Sequence, residues 1–171
     1  MKKIFLLLLI ISVTTQANAQ LFKSNKKKAQ EDTEEFNYEI TCFGVGVQGT
    51  SLIKVYSYSK KPQVAKMQAK KNAVHAIIFK GYAGVNGCQT QKPLARNTTL
   101  DKEKEGYFKD FFKDGGPYLK YVTISNDGAN TEVKKVKKKL YKVGVLVSVN
   151  KDELRKRLEH DGVIKTLSSG F

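Results

Sequence analysis

Cysteine and histidine, the side chains that most often act as nucleophiles or transition-metal ligands, are few in this chain. The chain has two cysteines, Cys42 and Cys88, and two histidines, His75 and His160. The segment "NAVHAIIFKGYAGVNGC", residues 72–88, holds one of each beside a glycine-rich run. A zinc site needs three or four converging ligands, yet no second histidine or carboxylate lies three or four residues from His75. We therefore predict no metal site and interpret His75 as an ordinary helix residue.

Three catalytic alternatives can be weighed against the same residues. The run "GYAGVNG" follows a predicted helix and has no Gly-Lys-Ser/Thr ending, whereas a phosphate-binding loop follows a strand and precedes a helix. A thiol catalyst could pair Cys88 with His75, but a Cys42–Cys88 disulfide would exclude it. Carboxylates in 101–105 and 152–161 are typical of solvated helix starts and faces. We predict no catalytic residue, no cofactor and no enzymatic activity.

The first nineteen residues have the pattern of a secretory signal peptide. Lys2 and Lys3 precede an apolar run from Ile4 to Val13, and "ANA" at residues 17–19 supplies small residues at the cleavage site. The apolar run is shorter than the roughly 20 residues that a membrane span needs, and no other run is long enough. We predict export to the periplasm or outer membrane rather than release to the medium, with no transmembrane segment in the mature chain; an uncleaved anchor is the alternative.

The charge balance is strongly basic. The formal net charge is +15, and losing two lysines with residues 1–19 leaves 15 − 2 = +13, since that segment holds no acid. Such a surface attracts nucleic acid, acidic glycans, lipid head groups or an acidic partner. Residues 20–37 alternate a basic and an acidic cluster with little apolar periodicity, so we predict a flexible charged leader there.

The two cysteines both remain after residues 1–19 are removed. An even cysteine count in an oxidising compartment predicts one disulfide, between Cys42 and Cys88, although two separate thiols are the alternative. Closing this loop would stabilise the fold by about 4 kcal/mol in the chain-entropy model.

The first half of the predicted domain is a hairpin followed by a helix. Alternating apolar residues flank "QGT" at 48–50, which predicts two antiparallel strands. Pro62 then suits a first helical turn, and Ala65, Ala69 and Ala73 recur every four residues. These spacings predict an amphipathic helix of about five turns that ends near Gly81, with its lysines, including Lys71, largely outside the apolar stripe.

An aromatic helix and a second hairpin follow. Four aromatic residues at helical spacing lie between Leu100 and the Gly-Gly-Pro at 115–117. Phe108, Phe111 and Phe112 form either a core stripe or a partner-binding surface. We expect "YLKYVTIS" and a long strand over 132–150 to flank an Asp-Gly turn in "NDGAN".

The early part of that long strand is the densest positive patch. Its lysines are a solvated edge that discourages strand pairing or a polyanion-binding site: Lys134, Lys135, Lys137, Lys138 and Lys139. Asn150 then caps a short helix ending at Gly162. The fold class is predicted as α+β, an antiparallel sheet of about four strands in two hairpins with two or three helices packed on one face, forming one domain over residues 38–171.

The motifs "AKMQAKKNAVHAII" and "KVGVLVSVN" followed by "DELRKRLE" carry a family resemblance. From about Phe43 to Leu158 the chain resembles the periplasmic domain family that includes the N-terminal domain of the flagellar assembly protein T and the LPP20-type envelope lipoproteins. It departs from them in lacking a lipobox cysteine and in its phenylalanine-rich insertion. The resemblance implies a non-enzymatic envelope assembly or accessory module.

Two functions follow as expectations. The first is a bacterial cell-envelope protein that binds another envelope protein through Phe108, Phe111 and Phe112 or the lysine-rich edge. The alternative is a binder of an anionic polymer, such as an acidic glycan, lipopolysaccharide or extracellular DNA, through the lysine strand with Tyr121 and Tyr141. Salt distinguishes them, because counterion release makes polyanion binding weaken steeply with ionic strength.

Overall fold

The computed structural model describes residues 36–44, 46–85, 87–125 and 131–166. The signal peptide, almost all of the charged leader and the "NDGAN" turn that the sequence predicts lie outside these residues. Within them the fold is an open antiparallel sheet of five strands with four helices, so the predicted α+β class is confirmed. None of the helices in the described part of the chain is long and apolar enough to cross a membrane.

The sheet is built around its two longest strands. Strands β1 (Tyr38–Gly44) and β2 (Thr50–Ser59) form the predicted first hairpin, with a register shift between Cys42 and Gly44. Strand β5 (Leu140–Asn150) pairs with the other edge of β2. Two shorter strands, β3 (Val122–Ile124) and β4 (Glu132–Lys137), pair with successive parts of the far edge of β5.

The predicted second hairpin is wrong in its connection. We expected one strand over 132–150 paired with residues 118–125, but β3 and β4 do not pair with each other, and both pair with β5. The chain reverses at Lys138 and Lys139, so β4 and β5 are the hairpin. These two turn residues are not the glycine or asparagine that usually marks a two-residue turn. Apolar and polar residues also alternate on both sides of the turn, so the sequence resembles one continuous strand.

Helix α1 (Pro62–Phe79) covers the face of the sheet formed by β2 and β5. Its alanine stripe is fully buried and allows close approach to the strands. Gly81, at φ 65°, ends the helix as predicted, with its N–H donating to the Ala76 carbonyl at 2.8 Å. Lys71 is only 4 % exposed, contrary to its predicted place outside the apolar stripe, because a second layer of aromatic residues covers that side of α1.

That second layer comes from the segment between α1 and β3. The predicted aromatic helix is broken at Lys104 into α2 (Leu100–Glu103) and α3 (Glu105–Phe111), and a 3-10 turn (Pro117–Tyr121) leads into β3. Helix α4 (Lys151–His160) follows β5 directly, and the N–H of Glu153 donates to the Asn150 side chain at 3.2 Å, as the predicted cap requires. Sheet, α1 and aromatic layer share one hydrophobic core.

Candidate functional site: the lysine hairpin and the open sheet face

The phenylalanine stripe lies in the core. Phe108, Phe111 and Phe112 are between 2 % and 6 % exposed. Phe112 packs against Tyr118 with ring centroids 5.9 Å apart, and Phe108 packs against Phe79 at 4.9 Å. Rings with so little exposed area cannot form the main contact surface for a protein partner, although Phe108 and Phe112 line a cleft beside α1. The structure therefore places them in the core stripe that was the other interpretation of their spacing.

The lysine-rich segment is, in contrast, fully accessible. We define the lysine hairpin as residues 132–142, comprising β4, its turn and the start of β5. Every residue of β4 and both turn residues are exposed. The five predicted binding lysines all lie on this projecting edge: Lys134, Lys135, Lys137, Lys138 and Lys139.

The register of the hairpin brings positive charges together. Lys134 lies directly opposite Lys142 in the β4–β5 ladder. Side chains directly opposite in an antiparallel pair lie about 4.5–5.5 Å apart at Cβ and share a face, so two like charges there destabilise the pairing. Glu39 already pairs with Lys142, so Lys134 is the member of this pair that has no ion-pair partner among the described residues.

Acidic partners on the hairpin are scarce. Glu132 is the only acid in β4, and it pairs with Lys54 of β2. Lys142 pairs with Glu39 of β1 at 2.6 Å. Within the described residues, none of the five predicted binding lysines forms an ion pair. Their charges are therefore available to an external anion.

The sheet face opposite α1 continues this surface, and the sequence analysis did not identify it as a site. Alternation along β2 buries Ile53 and Val55 under α1 and turns Lys54, Tyr56 and Tyr58 to the other face. We call this the open face. A Cβ built on Gly144 would lie 2.7 Å from the Tyr56 ring, so glycine at this β5 position allows the ring to lie across the strand.

The tyrosines of the open face are held by charged neighbours. The Lys142 ammonium lies 4.6 Å from the Tyr56 ring centroid and 5.7 Å from that of Tyr58, distances within cation–π range. Glu39 accepts hydrogen bonds from Lys142 and from the Tyr58 hydroxyl, and these bonds lower the pKa of its carboxyl group. The open face thus combines partly exposed aromatic rings with positioned ammonium groups.

Tyr121 and Tyr141 do not join this surface. Both are partly buried and pack against the hydrophobic core, with Tyr121 stacked on Phe111 at 6.2 Å. Tyr141 lies opposite Ser59, on the α1 side of the sheet. The alternation in β2 could have identified Tyr56 and Tyr58 instead. In the "YSYS" segment, residues 56–59, the two serines face α1 and the two tyrosines face the opposite side of the sheet.

The remaining candidates have structural roles here. Cys42 and Cys88 form the predicted disulfide, with an S–S distance of 2.04 Å, so Cys88 does not offer a free thiol. The His75 ring lies between aromatic side chains, and its Nδ1 is 2.6 Å from the Tyr38 hydroxyl. Among the described residues, no group of three or more His, Cys, Asp or Glu side chains is placed to hold a metal ion.

Comparison of the chain with models of known protein families found no match, and comparisons with curated proteins and with solved structures found none either. The resemblance to periplasmic envelope domains therefore stays a prediction from the quoted motifs. The function has to be argued from the surface itself.

Proposed function

We propose that this chain is an exported bacterial cell-envelope protein that binds an anionic polymer through the lysine hairpin and the adjoining open face. The observation that carries the proposal is the set of five exposed hairpin lysines without ion-pair partners in the described residues. Polymer carboxylates, phosphates or sulfates would neutralise them and release counterions. Export rests on the signal-peptide pattern and is compatible with the disulfide.

A protective edge is the main competing explanation for the lysines. Edge strands often carry lysine because exposed backbone groups would otherwise pair with another chain. This hairpin, however, concentrates five exposed lysines in β4 and its turn, none of them paired with an acid among the described residues. This concentration of exposed lysines without ion pairs in the described part of the chain favours a binding role.

Protein binding, the first expectation from the sequence, loses its proposed aromatic surface because the three phenylalanines are buried. An envelope partner would have to use the charged edge instead. We therefore place anionic-polymer binding first and protein binding second.

The proposal is tested by titrating the protein with polygalacturonate and with neutral dextran of similar length. We expect binding to polygalacturonate alone, and loss of most of this binding in the triple variant Lys135→Gln, Lys137→Gln, Lys138→Gln. The matched control, Lys102→Gln, Lys104→Gln, Lys113→Gln, removes the same charge from exposed positions on the helical side.

The control variant should retain near-normal affinity. Equal losses in the two triple variants would show a dependence on net charge alone and would contradict a site on the hairpin. Crosslinking in the intact envelope would separate the second candidate: one recurrent protein partner, retained at high salt, would favour protein binding instead.

A further inference from the structure

A pair of adjoining clefts on the helical side of the molecule lies apart from the lysine hairpin. One, of about 630 Å³, lies between the end of α1, residues 91–98 and α4. The other, of about 450 Å³, lies between α1 and the α2–α3 segment. Both are lined by His75, Phe79 and Asp101, and we call the two together the His75 cleft. Both clefts are open to solvent, and their volumes lie within the range of small-molecule sites.

The wall of the cleft at α1 is aromatic. Phe36 stacks on the His75 ring with centroids 3.5 Å apart, and Phe79 lies 4.8 Å from the same ring on the same helix. Phe36 holds this position with a φ of 42°, which is unusual for a residue other than glycine. Flat rings at these distances offer a ligand an apolar surface on which a planar body can pack.

The rim of the larger cleft is positively charged. Lys80, Lys92, Arg96 and Arg155 line it, against the single acid Asp101. Arg155 is paired with Glu159 at 3.4 Å, whereas Lys92 and Arg96 form no ion pair with any described residue. Two cations are thus free to bind an anionic group at the mouth of an aromatic cleft.

The imidazole adds a hydrogen-bond donor to the same cleft. The phenol of Tyr38 is a stronger acid than a neutral imidazole N–H, so we assign its hydroxyl as the donor to His75 Nδ1, which leaves the ring proton on Nε2. Nε2 has no partner among the described residues. Burial, with the nearby charge of Lys80, lowers the pKa of His75 to about 3, which keeps the ring neutral at physiological pH.

We propose that the His75 cleft binds a small organic anion, a carboxylate carried on a planar aromatic body. The carboxylate would pair with Lys92 and Arg96, and the ring would pack on Phe79 beside His75. Charge complementarity selects the carboxylate, since cations outnumber acids in the larger cleft by four to one. This site shares no residue with the lysine hairpin and does not depend on polymer binding.

The test is calorimetric titration of the chain with 2-naphthoate and with 2-naphthamide, a neutral molecule of the same shape. We expect naphthoate to bind roughly tenfold or more tightly than naphthamide, because hydrogen bonds to charged groups contribute most to such a difference. The double variant Lys92→Gln, Arg96→Gln should remove this preference. The control Lys137→Gln, Lys138→Gln, with the same change in net charge, should keep it.

A second variant tests the aromatic wall. Phe79→Leu should weaken naphthoate and naphthamide alike, and backbone NMR shifts should map both ligands to residues 91–98 and the end of α1. Equal affinities for the two ligands, equal losses in the two double variants, or absence of naphthoate binding at millimolar concentration would each overturn the proposal.

Discussion

Lowering the pH from 7.5 to 5.0 should destabilise this fold through His75. The pKa of its ring in the folded protein is about 3, against 6.5 for a free histidine side chain, because burial and the charge of Lys80 disfavour the protonated form. Between pH 6.5 and 3, therefore, His75 is protonated in the unfolded chain but neutral in the folded protein. Stability from this residue is complete above pH 6.5 and is lost as the pH falls towards 3.

The size of the effect follows from the two pKa values. Each pH unit below 6.5 costs about 1.4 kcal/mol until the folded ring itself protonates, so the change from 7.5 to 5.0 removes about 2 kcal/mol. Carboxyl groups contribute little above pH 5, since their unfolded pKa values are near 4. Urea unfolding at the two pH values measures the difference.

Two variants isolate the residue responsible. His75→Phe keeps an aromatic ring between Phe36 and Phe79 but cannot titrate. When the pH is lowered from 7.5 to 5.0, the free energy of unfolding of this variant should therefore fall by about 2 kcal/mol less than that of the unsubstituted protein. His160→Gln removes the chain's other histidine, whose side chain is 85 % exposed, and should keep the full pH dependence. The same pH dependence in the His75→Phe variant and the unsubstituted protein would refute the reasoning.

Three further changes should alter stability, each measurable by urea unfolding. Reducing the disulfide, which links residues 46 positions apart, should cost about 4 kcal/mol; an unchanged midpoint in dithiothreitol would contradict this. Gly81→Ala should be strongly destabilising, because a Cβ would overlap the Gln91 carbonyl oxygen and the backbone φ of Gly81 is 65°. Gly106→Ala, at a position in α3 with open space around it, should instead stabilise the protein by about 0.5–1 kcal/mol. If both substitutions changed stability in the same direction, the packing around Gly81 described above would be contradicted. Asn150→Ala should cost about 1 kcal/mol through the lost cap of α4, and no loss would argue against the cap.

Periodicity and end signals were sufficient to predict α1, α4 and the β1–β2 hairpin, but not the division of residues 132–150 into two strands or the helix break at Lys104. The four-residue alanine repeat, Pro62 and Gly81 determine the extent of α1, and the alternating valines after Tyr141 identify β5. These features are local, so a single sequence contains them. The disulfide was also predictable, because two cysteines leave only one possible intramolecular bond.

The turn at Lys138 and Lys139 and the burial of Lys71 were not predictable in the same way. A turn without glycine or asparagine gives no composition signal, and the lysine run reads as one continuous strand. Lys71 is buried by the aromatic layer near Tyr118, which contacts α1 only after the chain has folded back. Helical periodicity describes one buried face, whereas α1 is covered on two.

The surface that we propose for polymer binding was identified in part from the sequence. The lysine cluster is a run in the sequence and was found as such, but its proximity to Lys54 and Lys142 depends on the β2–β5–β4 order of the sheet. The phenylalanine stripe was ambiguous because the same spacing suits a core and a docking face. Only the position of α3 against α1 distinguishes the two.

The most direct test of the central claim is the salt dependence of binding to a single-stranded oligonucleotide or polygalacturonate, for the unsubstituted protein and for the Lys135→Gln, Lys137→Gln, Lys138→Gln variant. For the oligonucleotide, each lost phosphate contact should reduce the log–log slope by about 0.7, so the variant slope should be shallower by about 2. Polygalacturonate should show the same direction of change. Equal slopes for the two proteins would contradict a polyanion-binding site on the lysine hairpin.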